Sequence, residues 1–377
     1  MTTILTNALL VLPDEAVRGT LVIEAGRIQD VQPGRSTAPG AIDLDGDVLM
    51  PGVVDVHTDN LERQVEPRSN ARWPSRSAMI SHDAQCAASG VTTVLDALCL
   101  GDLGFDSSRT QTFHDGVADL TALAGTGLLK CDHYLHLRCE LPAVEMMDLL
   151  DPVADHPRVR MVSLMDHSPG VGQYSDLDRW RRMRARGGLA PEVVEQRLAE
   201  LIEKRARLRG PNRARLLARV ANLGVALASH DDQTEAEVEE NHRDGIRISE
   251  FPVTMEAAAA AHARGMQVIA GAPNIVRGGS HSGNVAAADL ARAGRVDALA
   301  SDYVPASLVE AAFACADSGA ITLPEAIALV TDRPARMAGL ADRGRLAPGL
   351  RADLVRVHRE DGLSFVRETW LTGGRVS

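Results

Sequence analysis

The chain lacks any run of roughly 18 consecutive apolar residues, so no membrane-spanning helix is expected. Its first residues, MTTILTNALLVLPDEAVRGT, carry neither a basic n-region nor a small-residue cleavage site, so no signal peptide is expected. Cysteine is scarce. The five residues Cys86, Cys99, Cys131, Cys139 and Cys315 are scattered, odd in number and nowhere in a CxxC pair, which fits reduced thiols and a cytoplasmic protein. Positive charge is in deficit: 40 Lys and Arg stand against 51 Asp and Glu, a net charge of −11. That argues against general nucleic-acid binding. It does not exclude an anionic substrate, because a metal or local cations reverse the field at a site. No internal repeat is visible, and no low-complexity tract beyond EAAAAA.

What is present is length and pattern. With 377 residues, 45% of them hydrophobic, the chain can bury one large barrel plus a small accessory domain. The segments TILTNALLVL, GTLVIEAGRIQDV and AIDLDGDVLM read as strands parted by Gly, Pro and Asp turns. The C-terminal RADLVRVHRE and LSFVRETWLTGGRVS have the same texture. Residues 1–50 and 340–377 are therefore expected to form one small β-sandwich domain. Between them strands alternate with helices. GVVDVHTD, GVTTVLDAL, CDHYLHLRCE, VRMVSLMDH, GVALASHDD, GIRISEFPV, MQVIAGAPN and VDALASDY read as strands, with helices such as TMEAAAAAHARG between. About eight such units predict an α/β fold, a (β/α)₈ TIM-like barrel over residues 51–339; a doubly wound open sheet is the alternative. An Arg-rich helical insert near 175–218 breaks the alternation. It reads as solvated amphipathic helices, or as a lid or subunit contact that attracts a polyanion.

The first of these strands poses a question. PGVVDVHTDN ends an apolar run in a histidine and a carboxylate. Strand alternation puts Val54, Val56 and Thr58 on one face and Asp55, His57 and Asp59 on the other. A buried polar face is costly unless something satisfies it; a metal would, and so would a hydrogen-bonded core network. The other strands repeat the pattern. LHLRCE ends at Glu140 with His136 and Arg138 on its face; SLMDH ends at His167; ALASHDD reaches His230; ALASDY reaches Asp302. A parallel barrel delivers all its strand C-termini to one mouth. Any one of these residues alone would read as structural, but their repeated placement points to a site. Imidazole and carboxylate donors suit Zn²⁺, Mn²⁺ or Fe²⁺, with Zn²⁺ favoured. Six ligands, His57, Asp59, Glu140, His167, His230 and Asp302, exceed the need of one ion, so one or two are expected, with Glu140 as bridge between two. Such ions make water acidic enough to ionise near neutral pH, and Asp302 would take its proton as general base. His82, Asp83, His133, His136, Asp166 and Asp231 are read as supporting or structural groups.

The stretches HTDNLE, HDAQCAASGVTTVLDAL, LHLRCE, SLMDHSPGVGQY, ASHDD, GAPNIVRGGSHSGN and SDYVPASL resemble the amidohydrolase superfamily of metal-dependent hydrolases. More narrowly, they resemble a branch acting in phosphonate breakdown by the carbon–phosphorus lyase pathway. The resemblance runs from about residue 48 to residue 310. It implies cleavage of the 5-triphosphate arm of a ribosyl methylphosphonate, leaving the 5-phosphate and releasing diphosphate. The anionic sugar triphosphate is then the partner expected, with no nucleic acid and no membrane, and homo-oligomerisation is left open. Two departures stand out. The superfamily's HxH motif is HxD here, and its bridging carboxylated lysine has no counterpart at a strand end, since the chain holds only Lys130 and Lys204. His167 and His230 also fall on the fourth and fifth strands, where the fifth and sixth are commoner. A polyphosphate needs cations and amide donors. APNIVRGGSHSGN offers Arg277, Gly278, Gly279, Ser280, His281 and Asn284, its paired glycines allowing close backbone approach. Arg138 is a further candidate, for phosphate or for orienting Glu140; Arg68 is a weaker one. Two other readings stay open: a cyclic-amide hydrolase on the same scaffold, and a non-catalytic metal-stabilised subunit of a phosphonate-degrading assembly.

Overall fold

The structure is a computed structural model that describes residues 2–377 except 69–70, 105–107, 187, 189 and 281–282. Two sheets organise it. The first begins with β1 (Thr2–Val11), β2 (Ala16–Glu24), β3 (Arg27–Pro33), β4 (Ile42–Asp43) and β5 (Val48–Pro51). The second follows with β6 (Val53–Thr58), β7 (Val91–Leu100), β8 (Asp132–Glu140), β9 (Val159–Met165), β10 (Ala226–His230), β11 (Ile248–Glu250), β12 (Gln267–Gly271) and β13 (Ala298–Ala300). The chain then returns to the first sheet with β14 (Leu354–Glu360), β15 (Leu363–Leu371) and β16 (Gly374–Arg375).

All eight expected barrel strands form, pair parallel with their sequence neighbours, and curl. The last meets the first through backbone at the mouth. Asp302 N–H donates to the His57 carbonyl at 3.0 Å, and Asp59 N–H to the Asp302 carbonyl at 2.5 Å. Lower in this seam, residues 329 and 330 stand in for a longer strand: Val54 N–H bonds the Val330 carbonyl and Leu299 N–H the Leu329 carbonyl, both at 2.9 Å. His167 follows the fourth barrel strand and His230 ends the fifth.

Inside the barrel Val54, Val56, Leu95, Met161, Ala228, Ile248, Ile269 and Ala298 form one cluster, as inward positions of alternating strands should. Simple alternation fails at the end of β6. The pairing with β7 slips between Asp55 and Thr58, a bulge in which three steps on one strand match two on the other. Val56 therefore stays in the interior cluster, and His57 also turns inward, against the rings of His136, His230 and Phe251.

The terminal segments share one sheet, ordered β16-β15-β14-β5-β1-β2-β3 with β4 on β1. Its far edge rolls back: Arg27 forms a bridge with Arg351, and Ala352 N–H donates to the Gly26 carbonyl at 2.9 Å. The roll encloses Leu5, Leu10, Leu21, Ile28, Leu49, Leu354 and Trp370. Asp132, at the start of β8, ties it to the barrel by accepting from Arg343 at 2.8 Å and Arg351 at 2.5 Å.

Helices cover the barrel outside. α1 (Asn60–Val65), α2 (Ser75–Ala88) and α3 (Arg109–Leu123) follow the first two strands, and α4 (Met146–Leu150) the third. The Arg-rich insert forms α5 (Leu177–Arg186) and the 30-residue α6 (Pro191–Val220). α6 buries Val194, Leu198, Leu201, Leu216 and Val220. Several of its arginines are spent on neighbouring acids: Arg205 on Asp166 at 2.7 Å, Arg209 on Glu240 at 2.9 Å, Arg213 on Asp244 at 2.8 Å. Between α2 and the barrel wall lies a buried polar network. Asp96 accepts from His82 at 2.7 Å and His133 at 2.9 Å, and His133 also reaches Asp83 at 3.2 Å. All five cysteines are buried and free. Among the described residues, no helix is long and apolar enough to cross a membrane.

Candidate metal centre and active site

The barrel mouth holds a cavity of about 310 Å³, within the usual size of small-ligand sites. Its wall includes His57, Asp59, Arg138, His167, His230 and Asp302, all marked by the sequence, together with Ser280 and Asn284. It also includes Arg109, Gln173, Tyr174, Asp231, Phe251, Asn274 and Tyr303, which the sequence reading did not select for the site. Donor atoms gather in two groups. Those of His57, Asp59 and Asp302 lie within 4.8 Å of one another, as do those of His167, His230 and Asp231. His57 Nε2 stands 3.5 Å from Asp59 Oδ1, and His230 Nε2 stands 3.8 Å from Asp231 Oδ1. Ligands of one ion with bonds of ~2 Å fall at such spacings.

The imidazoles are aimed by carboxylates behind them. Glu250, fully buried at the end of β11, accepts from Nδ1 of both His57 and His230, each at 2.7 Å. Ser163 donates to the same carboxylate at 3.0 Å. An ionised carboxylate only accepts, so each Nδ1 carries hydrogen and each Nε2 is turned to the cavity, where the neutral ring offers a lone pair and the protonated ring gives that proton up to a cation. Glu140 treats His167 likewise, accepting from its Nδ1 at 2.6 Å and its backbone N–H at 2.8 Å. This replaces the bridging place expected for Glu140. Both of its oxygens are turned to His167, and among the described residues it does not line the cavity. Glu250 is absent from the sequence-predicted set, although it carries the same signal, a polar group closing the sixth barrel strand in GIRISEFPV.

Two buried atoms show that this donor set fits a cation. His57 Nε2 and Asp231 Oδ2 have no hydrogen-bond partner, though both belong to the cavity wall. An orphaned buried donor or acceptor costs ~1–3 kcal/mol, and a divalent ion in each donor group would satisfy the orphan found there. The electrostatics agree. Burial works against charge on His57, but the Glu250 and Asp59 carboxylates together outweigh it and lift its pKa to about 10. The position thus favours positive charge. Burial also opposes ionisation of Asp59, yet Arg138, donating at 2.5 Å, holds its carboxyl below the usual range. Asp302 goes the other way: burial first, then the Asp59 charge, raise it to about 6. Backbone strain marks the same rim. Asp231, Phe251 and Asp302 follow three different strands with φ of +56°, +54° and +57°, a region that non-glycine residues rarely adopt.

The Gly-rich loop contributes less than expected. Among the described residues, Arg277, Gly278 and Gly279 do not line the cavity, and Arg277 is exposed. The glycines close the short helix Ala272–Val276: Gly278 N–H donates to the Ile275 carbonyl at 3.1 Å and Gly279 N–H to that of Asn274 at 2.9 Å. Their amides are consumed locally. Arg68 is exposed and off the wall, and His281 lies outside the described residues. Arg138 lines the cavity, but its guanidinium holds Asp59 and its Nε points to Met165 Sδ at 3.3 Å.

The sequence model of the amidohydrolase family matches residues 234–370. The chain is 44% identical over 376 residues to the alpha-D-ribose 1-methylphosphonate 5-triphosphate diphosphatase of Escherichia coli, covering 99% of this chain and 100% of that one. An imidazolonepropionase of Deinococcus deserti is 44% identical over 64 residues, 15% of this chain and 16% of its own. Among solved structures, a dihydropyrimidinase from Brevibacillus agri superposes with a TM-score of 0.66 at 13% identity, over 100% of this chain and 95% of that one. An N-acetyl-D-glucosamine-6-phosphate deacetylase from Mycobacterium smegmatis gives 0.64 at 18%, over 100% of both chains. At such identities the superpositions establish a shared fold and nothing finer.

Proposed function

The chain belongs to the amidohydrolase family, and from that premise we propose that it hydrolyses alpha-D-ribose 1-methylphosphonate 5-triphosphate to the 5-phosphate and diphosphate in phosphonate breakdown. One observation carries this reading: 44% identity, end to end, with a diphosphatase of that substrate. The cavity supports it chemically. Neither lysine lines the wall among the described residues, and Lys130 is bound to the Val376 carbonyl at 2.5 Å, so nothing here supplies the carboxylated lysine of cyclic-amide hydrolases.

His57, Asp59 and Asp302 would hold one divalent ion, and His167, His230 and Asp231 a second; zinc suits the nitrogen and oxygen donors best. Ions so held acidify water and neutralise charge on phosphoryl oxygens. The chain's own groups do the rest. Glu250 and Glu140 keep the imidazoles turned with Nε2 toward the cavity. Arg138 pins Asp59. Asp302, its carboxyl raised by burial and by Asp59, accepts a proton from the attacking water as the new P–O bond forms. Diphosphate departs with the electron pair of the broken bond.

The test supplies the ribosyl triphosphate and identifies the products, with dihydroorotate as the competing substrate. Diphosphate and the 5-phosphate are expected from the first, and no ring opening of the second. Asp302→Asn should lower diphosphate release by roughly 10²- to 10⁴-fold while metal content stays measurable. A variant as active as the wild type would remove Asp302 from the role of base.

A further inference from the structure

A triphosphate presents two phosphates beyond the one attacked, and the cavity must meet their charge. The arginines near it are unequally available. Arg138 is bound to Asp59 at 2.5 Å. Arg63 is exposed and donates to the Tyr303 carbonyl at 2.7 Å. Arg277 is exposed and off the wall among the described residues. Arg109 differs from these. It is the first residue of α3, it lines the cavity, and its Nε is buried with no hydrogen-bond acceptor. Glu62 Oε2 stands 3.6 Å from that nitrogen, beyond hydrogen-bond length. Arg109 also acts electrostatically on Asp59 in the donor group and on Tyr174 in the wall. It therefore lies within charge–charge reach of both, on the same cavity wall.

We propose that Arg109 determines specificity for the diphosphate arm, receiving the two distal phosphates that leave together. The inference rests on the diphosphate-releasing activity proposed above. In that reaction the water oxygen bonds to the phosphorus next to the ribose. The bond from that phosphorus to the oxygen bridging toward the second phosphate breaks, its electron pair leaves with diphosphate, and the water's proton passes to Asp302. Negative charge grows on the departing arm. A planar guanidinium whose Nε is unfilled can take two phosphate oxygens at once in a forked contact, which a lysine cannot imitate. Glu62 is the counter-charge that an entering phosphate would displace.

The experiment compares wild type, Arg109→Gln and Arg109→Lys for KM on the triphosphate and for inhibition by inorganic diphosphate and by orthophosphate. Thermal melting accompanies each variant. Arg109→Gln should raise KM and weaken diphosphate inhibition by roughly 10- to 100-fold, with the melting temperature held and orthophosphate inhibition near that of wild type. Arg109→Lys should recover part of the loss. Unchanged diphosphate inhibition in Arg109→Gln, with wild type active on the triphosphate, overturns the inference. So does an equal weakening toward both anions. A wild type that neither cleaves the triphosphate nor responds to diphosphate sinks the activity reading itself, and this inference with it.

Discussion

Glu250 shows how much one residue can govern without facing the cavity. It serves two imidazoles from opposite oxygens, and both must present hydrogen to it. In Glu250→Gln one of those oxygens becomes an amide NH₂. That group meets an Nδ1–H head-on, so one histidine must flip or change tautomer and lose its lone pair toward the mouth. Metal affinity should fall ~10- to 100-fold, as for other residues that orient ligands. Competition with a chelating dye measures this, and affinity equal to wild type would mean that His57 and His230 are aimed by something else. At this scale much of the site was legible. His57, Asp59, His167, His230 and Asp302 announce themselves as polar groups closing apolar strands, and all of them line the cavity. Glu250 announces itself the same way. What could not be read was the direction of each carboxylate. Glu140 turns to His167 while Asp231 lines the cavity, because contacts outside their own strands decide where each carboxylate points.

At the scale of elements, the loop after β9 packs against the turn after β10. Gly172 lies in this contact with φ of +51°, and a Cβ there would sit 2.9 Å from Asp231 Cβ. Only a residue without a side chain allows Asp231 its own strained turn. Gly172→Ala should cost ~1–2 kcal/mol from the left-handed backbone alone and push Asp231 off its position. The expected result is a folded protein with weakened metal binding at the His167, His230 and Asp231 group. Metal titration with circular dichroism tests it; unaltered binding would show that the loop yields instead. The sequence shows the glycine in SPGVGQY but not its neighbour, since the contact joins segments about sixty residues apart. The paired glycines of VRGGSH mislead for a related reason. They look ready for phosphate, yet a short helix ends there and takes their amides. The Arg-rich insert was visible as helices, while its pairing with Asp166, Glu240 and Asp244 was not, because those acids sit on another loop and on the helix Glu235–Arg243 and its end, and nothing local to the insert marks them.

For the whole molecule, the strand–helix alternation was readable throughout, and so was the β texture of both ends. Their union in one rolled sheet depends on β5 lying beside β14, a pairing across nearly the whole chain. Removing residues 350–377 would strip β5 of that neighbour, open the cluster around Leu49 and deprive Asp132 of Arg351. Such a chain should collect in the insoluble fraction, and a soluble product with native circular dichroism would show that the barrel stands without the sheet. The seam where the barrel closes carries a different consequence. Asp59 N–H donates to the Asp302 carbonyl there and Asp302 N–H to the His57 carbonyl, joining the ends of the first and last strands of the cylinder. A chain emerging from the ribosome holds most of its donors long before it can bring them to bear. Catalytic competence therefore arrives only when the final staves lock, and a nascent or half-opened molecule is chemically silent.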